Sequence, residues 1–256
     1  MDKSKYISKV SGHALVLGGS GGIGAEVVRA LAANGVSAIS FTYNNNKAAA
    51  DELAKELSAL GIKTFSAKVN LSDDAPFRMF LEKAVAAIGE EINIAAHSVG
   101  ISPDTPFDDQ TADEWREVME VNAVGMFIST RAIGNRMKEK GVRGSIVIVT
   151  STNGINSQDP LSAPYDFSKA GQVLYVRNLA EHCSKDNIRV NGIAPGWINT
   201  KMNDTLPSEY REGETAKIWF GRFAEPAEVA SVVVFLAGSG ASFITGQNII
   251  VDGGYR

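Results

Sequence analysis

Tyr165 and Lys169 stand four residues apart in the segment "APYDFSKAG", at the start of a long helix-like stretch. Side chains at that spacing share one helix face, so an ammonium and a phenol would lie side by side. A phenol titrates at about 10 in water and handles protons poorly at neutral pH; a neighbouring cation stabilises its phenolate and draws it toward the useful range. Fourteen residues before Tyr165, Ser151 ends the apolar run "SIVIVTS". A hydroxyl at the carboxyl end of a parallel strand lies where ligands bind in open sheets, and can hydrogen-bond a carbonyl oxygen. Thr150 and Thr152 compete for that role, and the tyrosine and lysine alone also fit an exposed pair on a helix.

A second constellation is the stretch "LGGSGGIG" from Leu17 to Gly24, five glycines in eight residues. It follows the apolar run "HALV" and precedes "AEVVRALAANG", and Gly18, Gly22 and Gly24 give the spacing G-x-x-x-G-x-G. A turn that tight lets backbone N–H groups and a helix N-terminus face a pyrophosphate. Strand, glycine turn and helix in that order are what a dinucleotide site requires, although many loops are merely glycine-rich. Where a carboxylate for an NAD ribose would stand, the second strand ends "SFTYNNNKAAA" with no acid. Tyr43, Asn44, Asn45, Asn46 and Lys47 offer donors and one cation, which suit a 2'-phosphate, so NADP(H) is expected, with NAD(H) the alternative. The asparagines also read as a polar turn that caps the next helix.

These groups need a scaffold that brings strand ends together. Apolar runs at "HALVLG", "SAISFTY", "KTFSAKV", "INIAAHS", "SIVIVTS", "IRVNGIA" and "QNIIVDG" alternate with helix-like segments such as "AAADELAKELSAL" and "AEVASVVVFLAG". This alternation predicts one doubly wound α/β domain over residues 1–256, a seven-stranded parallel sheet with helices on both faces. The segment from Gly196 to about Pro226 carries no clear strand or helix signal and reads as a substrate lid. Its aromatics, Trp197, Tyr210, Trp219 and Phe220, either face a substrate or pack the underside.

A net charge of −4 gives no electrostatic reason to expect nucleic acid or a membrane surface as partner, which favours a small-molecule function. The polar start "MDKSKYISKV" and the lack of a membrane-length apolar run lead to the expectation of a cytoplasmic protein. Cys183 is the sole cysteine, and His13, His97 and His182 are scattered, so neither an intrachain disulfide nor a metal site is expected. His97 reads as a packed, hydrogen-bonded imidazole and Cys183 as structural. Asp108, Asp109, Asp113 and Glu114 read as a solvated helix start, with Trp115 and Met119 in the core or a subunit interface.

Five motifs in this order resemble the short-chain dehydrogenase/reductase family over essentially the whole chain. They are the loop at Gly18, Gly22 and Gly24; "VNAVG" with Asn122; Ser151 with Tyr165 and Lys169; "VNGIAPGWINT" with Pro195, Gly196 and Thr200; and the tail "TGQNIIVDGG". Within the family the chain is most similar to 3-oxoacyl-(acyl carrier protein) reductases and to glucose and polyol dehydrogenases. The resemblance implies a Rossmann-type fold and the interconversion of a carbonyl and a secondary alcohol, with a small molecule or acyl thioester as substrate. Acyl carrier protein is a further possible partner, docking on a basic patch of Lys138, Lys140, Arg143 and Lys185 near the entrance. A homotetramer is also implied, built on helices near residues 111–137 and 163–186.

By the same resemblance, Tyr165 passes the proton, Lys169 lowers its pKa and holds the nicotinamide ribose, and Ser151 orients the substrate oxygen, with Trp197 beside the substrate. Asn122 holds a relay water through a local distortion of its helix, and Ile198 and Thr200 anchor the carboxamide. Cofactor contacts extend over Ser20, Ile23, Asn70, Leu71, Ser98 and Gly100. Three features depart from the family pattern: His97, Ser98, Val99 and Gly100 replace Asn-Asn-Ala-Gly, Asn70 replaces an aspartate, and the Ser151 to Tyr165 interval is one residue longer. The basic residue that many NADP-preferring relatives carry in the loop is also missing, since Ser20 and Gly21 stand there.

Overall fold

The computed structural model describes residues 9–157, 159–204 and 206–255. Seven strands form one parallel sheet: β1 (His13–Leu17), β2 (Ala38–Tyr43), β3 (Lys63–Lys68), β4 (Ile92–His97), β5 (Ser145–Val149), β6 (Arg189–Pro195) and β7 (Asn248–Val251). Their order is β3-β2-β1-β4-β5-β6-β7. Each apolar run read from the sequence supplies one strand. The helices are α1 (Gly22–Ala33), α2 (Lys47–Ala59), α3 (Asp74–Ile88), α4 (Ala112–Met119), α5 (Met126–Glu139), the single turn α6 (Asn153–Asn156), α7 (Ala163–Ser184), α8 (Ser208–Lys217) and α9 (Pro226–Ala237).

Both sheet faces are covered, so the inner strands are apolar throughout instead of alternating with polar residues. Ala14, Val16, Ile39, Phe41, Val147 and Ile193 pack under α1, α2 and α9. Their neighbours Leu15, Leu17, Ile146, Ile148 and Val190 point the other way, under α3, α5 and α7. Each such aliphatic side chain, removed from water, stabilises the fold by about 1.5–3 kcal/mol.

The strand order reverses between β1 and β4, so the loops leaving their carboxyl ends part and open a crevice. All the expected reactive groups lie on loops or helix starts at this edge. The interval between Ser151 and Tyr165 is filled by α6 and a short 3₁₀ turn, Pro160–Ser162. Gly154 in α6 lies against the α7 backbone; a Cβ there would stand 2.5 Å from the carbonyl oxygen of Lys169.

The segment 196–226 departs from expectation, since it contains the ten-residue helix α8, a 3₁₀ turn at Lys201–Asn203 and a bridge between Ile198 and Ala224. The α8 sequence "SEYREGETAK" has no apolar stripe, and Glu214 is its one buried residue. Among the described residues, no helix is long and apolar enough to cross a membrane.

Candidate active site

The glycine loop is folded against β2 and the loop after β4. Gly18 N–H donates to Thr42 Oγ1 at 3.0 Å and Gly19 N–H to the Thr42 carbonyl at 2.9 Å. Gly18 and Gly22 have φ of 79° and 50°, in the left-handed region that glycine enters without strain. At Gly24 a Cβ would stand 2.1 Å from the Gly18 carbonyl oxygen, so only glycine permits this closure. No side chain caps the start of α1 and no acid occupies its first turn, which leaves its N–H groups and positive dipole end for an anion. Thr200 borders the loop, its methyl 3.6 Å from where a Gly22 Cβ would stand.

The neighbouring positions border the glycine loop. Ser98 N–H donates to the Leu17 carbonyl at 3.0 Å, which seats residues 98–100 beside Gly18. Asn70 accepts from Ser72 N–H at 3.2 Å and keeps its amide donors, while Leu71 is buried beneath. At the end of β2, Tyr43 is half-buried and Asn44 and Asn45 are exposed. Asn46 caps α2 through Ala49 N–H at 3.1 Å, as the polar-turn reading has it, and exposed Lys47 pairs with Asp51 at 2.7 Å.

Across the crevice, α7 presents Tyr165 and Lys169 together, with the ammonium 5.4 Å from the phenol ring centre. The Ser151 hydroxyl acts on the Tyr165 phenol in the direction that favours its ionised form. Its two competitors face away, since Thr150 and Thr152 hydroxyls donate to the β6 carbonyls of Ile193 and Pro195 at 2.8 and 3.2 Å. Asn153 N–H donates to Ser151 Oγ at 3.1 Å, and its amide donates to Asp166 at 2.8 Å, which ties the serine to the helix bearing Tyr165.

Asn122 lies in a π-helical turn, Glu120–Gly125, between α4 and α5. Its side chain exchanges two 2.9 Å hydrogen bonds with the Ile101 backbone and donates to Ser168 Oγ at 3.0 Å. Its carbonyl accepts from Gln172 Nε2 at 2.6 Å. Buried Lys169 donates to the Val149 carbonyl and to Gln172 Oε1, both at 3.0 Å. Asn122 therefore connects to Lys169 through a glutamine side chain, a residue the sequence reading missed.

Burial acts on both groups of the pair. It pushes the Tyr165 phenol up to about 12, with Asp166 and Asp104 adding to the rise. It also lowers Lys169 to about 7. In the protein without cofactor, loss of hydration thus moves the phenol opposite to the direction that a neighbouring cation favours.

His97 ends β4 and is 1% exposed. Among the described residues neither ring nitrogen finds a hydrogen-bond partner, contrary to the expectation of a hydrogen-bonded imidazole, and burial beside Lys169 drives its pKa to about 3. Cys183 is buried, its thiol pushed up to about 11 by desolvation.

The segment 196–226 is held together by its own contacts. Trp197 stacks on Phe223 at 5.3 Å, meets Tyr210 edge-on at 6.1 Å and donates its indole N–H to Glu214 at 2.9 Å. Trp219 and Phe220 are 69% and 77% exposed, and their backbone N–H groups bond the tail carbonyls of Gly254 and Gly253. Such exposure leaves them out of the packing beneath the segment. The basic patch is also relocated: Lys138, Lys140 and Arg143 precede β5 and Lys185 follows α7, at the strands' amino edge. With Lys185 20 residues along from Tyr165 at about 1.5 Å rise each, roughly 30 Å separates it from the site.

Fold and crevice define a nicotinamide-dependent oxidoreductase of the doubly wound class. A family model described as enoyl-(acyl carrier protein) reductase matches residues 18–256. The 3-oxoacyl-(acyl-carrier-protein) reductase FabG of Thermotoga maritima is 35% identical over 240 residues, 94% of this chain and 96% of that one. The NADP-dependent mannitol dehydrogenase of Alternaria alternata is 31% identical over 94% and 91%. The crystal structure of a short-chain type dehydrogenase/reductase from Mycobacterium marinum superposes with a TM-score of 0.89 at 26% identity, covering 100% and 99%. The chain belongs to the short-chain dehydrogenase/reductase family, and is an NAD(P)-dependent oxidoreductase acting on CH–OH groups and carbonyls.

Proposed function

We propose that the protein is an NADP(H)-preferring reductase that converts a ketone to a secondary alcohol, with Tyr165 as the proton donor. The observation that carries this reading is the neutral Tyr165 hydroxyl, held beside Ser151 and Lys169 at the edge where the glycine loop opens. When bound, the nicotinamide supplies the hydride. Gly18, Ser20, Gly22, Ile23 and Gly24 hold the pyrophosphate on the α1 N-terminus, and Tyr43, Asn44 and Asn45 take the 2'-phosphate. Asn70, Leu71, Ser98 and Gly100 border the adenosine half and inner ribose; Pro195, Gly196, Ile198 and Thr200 hold the carboxamide.

Ser151 holds the substrate carbonyl oxygen and Tyr165 gives it a proton. The Lys169 ammonium stabilises the resulting phenolate, and Asn122 steadies the wall behind. General acid catalysis of this kind contributes typically 10²–10⁴-fold. Trp197 fixes the lid side of the substrate pocket.

A 3-oxoacyl thioester or related ketone leads as substrate, supported by the name of the Thermotoga relative. A polyol or sugar is the second reading, favoured by Asp104 and Asp166, whose charges act on Tyr165 and would accept substrate hydroxyls while repelling phosphates. An acyl carrier protein would need a docking surface other than the relocated basic patch. Phe127, Phe167 and Leu174 are exposed on α5 and α7, which suits burial between copies in a homotetramer. The lone buried Cys183 fits a reducing compartment such as the cytoplasm.

Parallel titration with NADPH and NADH, then turnover on ketones, 3-oxoacyl thioesters and sugar carbonyls, tests the reading. Tyr165→Phe is expected to bind NADPH normally and lose nearly all turnover. Unchanged turnover, or tighter NADH binding, would overturn it.

A further inference from the structure

Gln172 is fully buried on the inward face of α7, one turn beyond Lys169. Both ends of its amide are committed: Oε1 accepts from Lys169 Nζ at 3.0 Å and Nε2 donates to the Asn122 carbonyl at 2.6 Å. That carbonyl belongs to the π-helical turn, whose shifted hydrogen bonding leaves acceptors without a partner in their own helix. The second acceptor of Lys169, the Val149 carbonyl at 3.0 Å, is at the end of β5. One amide therefore joins three elements at the ammonium. An ammonium has three N–H donors, so two are spent on this inner wall and the third is aimed by them.

We propose that Gln172 is a positioning residue for the reaction: its amide fixes the Lys169 ammonium against β5 and the π turn, so that one N–H is presented to the crevice. This inference rests on the reading of Lys169 and Tyr165 as the reacting pair. An apolar side chain would leave the Asn122 carbonyl buried without that donor and the lysine with one acceptor.

The groups facing Lys169 are His97 from β4, Tyr165 on its own helix and, beyond the phenol, Asp104 and Asp166. Of these, His97 stays neutral above about pH 3 and Tyr165 below about 12, so neither disturbs a lysine titration near neutrality. Oε1 favours the charged form of Lys169 because it accepts a proton from the ammonium.

The test is an NMR titration of the Lys169 ε-carbon in cofactor-free protein, with the signal assigned by its loss in Lys169→Met. Gln172→Met, close in shape and without donor or acceptor, is expected to lower the midpoint by about one unit. Gln172→Glu, which sets a carboxylate against the ammonium, is expected to raise it. In parallel, Gln172→Met is expected to lose at least tenfold in kcat with NADPH affinity within twofold of the parent.

Midpoints that overlay the parent in both variants, with kcat loss matching only the unfolded fraction, would overturn the proposal and leave Gln172 a packing residue. Should Gln172→Met fail to fold, the direction of the Gln172→Glu midpoint decides alone. The two readings fail separately: full turnover in Lys169→Met sinks the proposed function itself, whereas an inactive Lys169→Met with unmoved Gln172 midpoints sinks this inference alone.

Discussion

Two buried histidines, one at each edge of the sheet, meet different surroundings. At the amino edge, His13 Nδ1 bonds the Glu90 carbonyl at 2.9 Å and Nε2 bonds Ser40 Oγ at 2.8 Å. Nearby, Arg136 is fanned onto Glu82 and Glu91, at 2.5 and 2.8 Å. At the carboxyl edge, His97 has no partner on either nitrogen among the described residues, Lys169 is depressed to about 7 and Tyr165 is raised to about 12. Satisfied groups stabilise; underpaired, desolvated groups cost stability and persist where a ligand or a reaction needs them. The contrast assigns holding the fold to one edge and chemistry to the other.

The largest effect expected of any substitution tests the chemical edge. Lys169→Met should reduce kcat/KM by about a thousandfold, within the range for proton transfer, because nothing then stabilises the phenolate. Its melting temperature should fall only slightly, since removing an ammonium that burial disfavours offsets the loss of its hydrogen bonds to the Val149 carbonyl and Gln172. A large fall in melting temperature with turnover retained would reverse the assignment.

Gly24→Ala comes next and acts on the cradle. The new methyl would meet the Gly18 carbonyl oxygen at 2.1 Å, a backbone atom that cannot swing aside. Overpacking of this sort costs about 1–3 kcal/mol, and reopening the loop should weaken NADPH binding at least tenfold, read by calorimetry and fluorescence titration. Gly21→Ala, with open space at its Cβ, is the control and should do neither.

Much of this division was legible in the chain. Seven apolar runs alternating with helices predict a parallel sheet, and strand polarity then sends Ser151, Tyr165 and the glycines to one edge. The same polarity placed Lys140 and Arg143, which precede β5, at the other edge, a consequence the sequence reading did not draw. Gln172 was hidden because a glutamine within a helix reads as a solvated position. Only the fold shows it bonded to a carbonyl 50 residues away. Helix α8 was hidden because its one buried side chain is a carboxylate, Glu214, held by Trp197, Lys217 and Tyr255, three partners from distant or polar positions. The burial that raises the Tyr165 phenol is likewise invisible in spacing.

Arg136→Leu tests the holding edge. The guanidinium is 90% buried in its side chain while Glu82 is largely exposed, so the network is only partly screened. Hydrogen bonds to charged groups are worth about 1.5–3 kcal/mol, and a loss of about 2 kcal/mol is expected by urea unfolding, with kcat unchanged. A matched fall in kcat would mean that the two edges are coupled.

The smallest effect at neutral pH, and the sharpest on the comparison, comes from the two histidines. Both have pKa values lowered by burial, His97 to about 3, against about 6.5 when unfolded. The unfolded chain therefore binds more protons below about pH 6.5, and stability falls as pH drops from there toward 3, by at most about 1.4 kcal/mol per unit for each group. His97→Asn removes one of these contributions without breaking any hydrogen bond of the imidazole, so the variant should match the parent at pH 7 and surpass it near pH 5. His13→Asn flattens the same slope but severs the bonds to Glu90 and Ser40, so it should start about 1–2 kcal/mol lower at pH 7. Urea unfolding across pH 4.5–7.5 separates them. If His97→Asn loses as much as His13→Asn at pH 7, the imidazole at the carboxyl edge is holding structure, and the division between the edges fails at the residue where it is drawn most sharply.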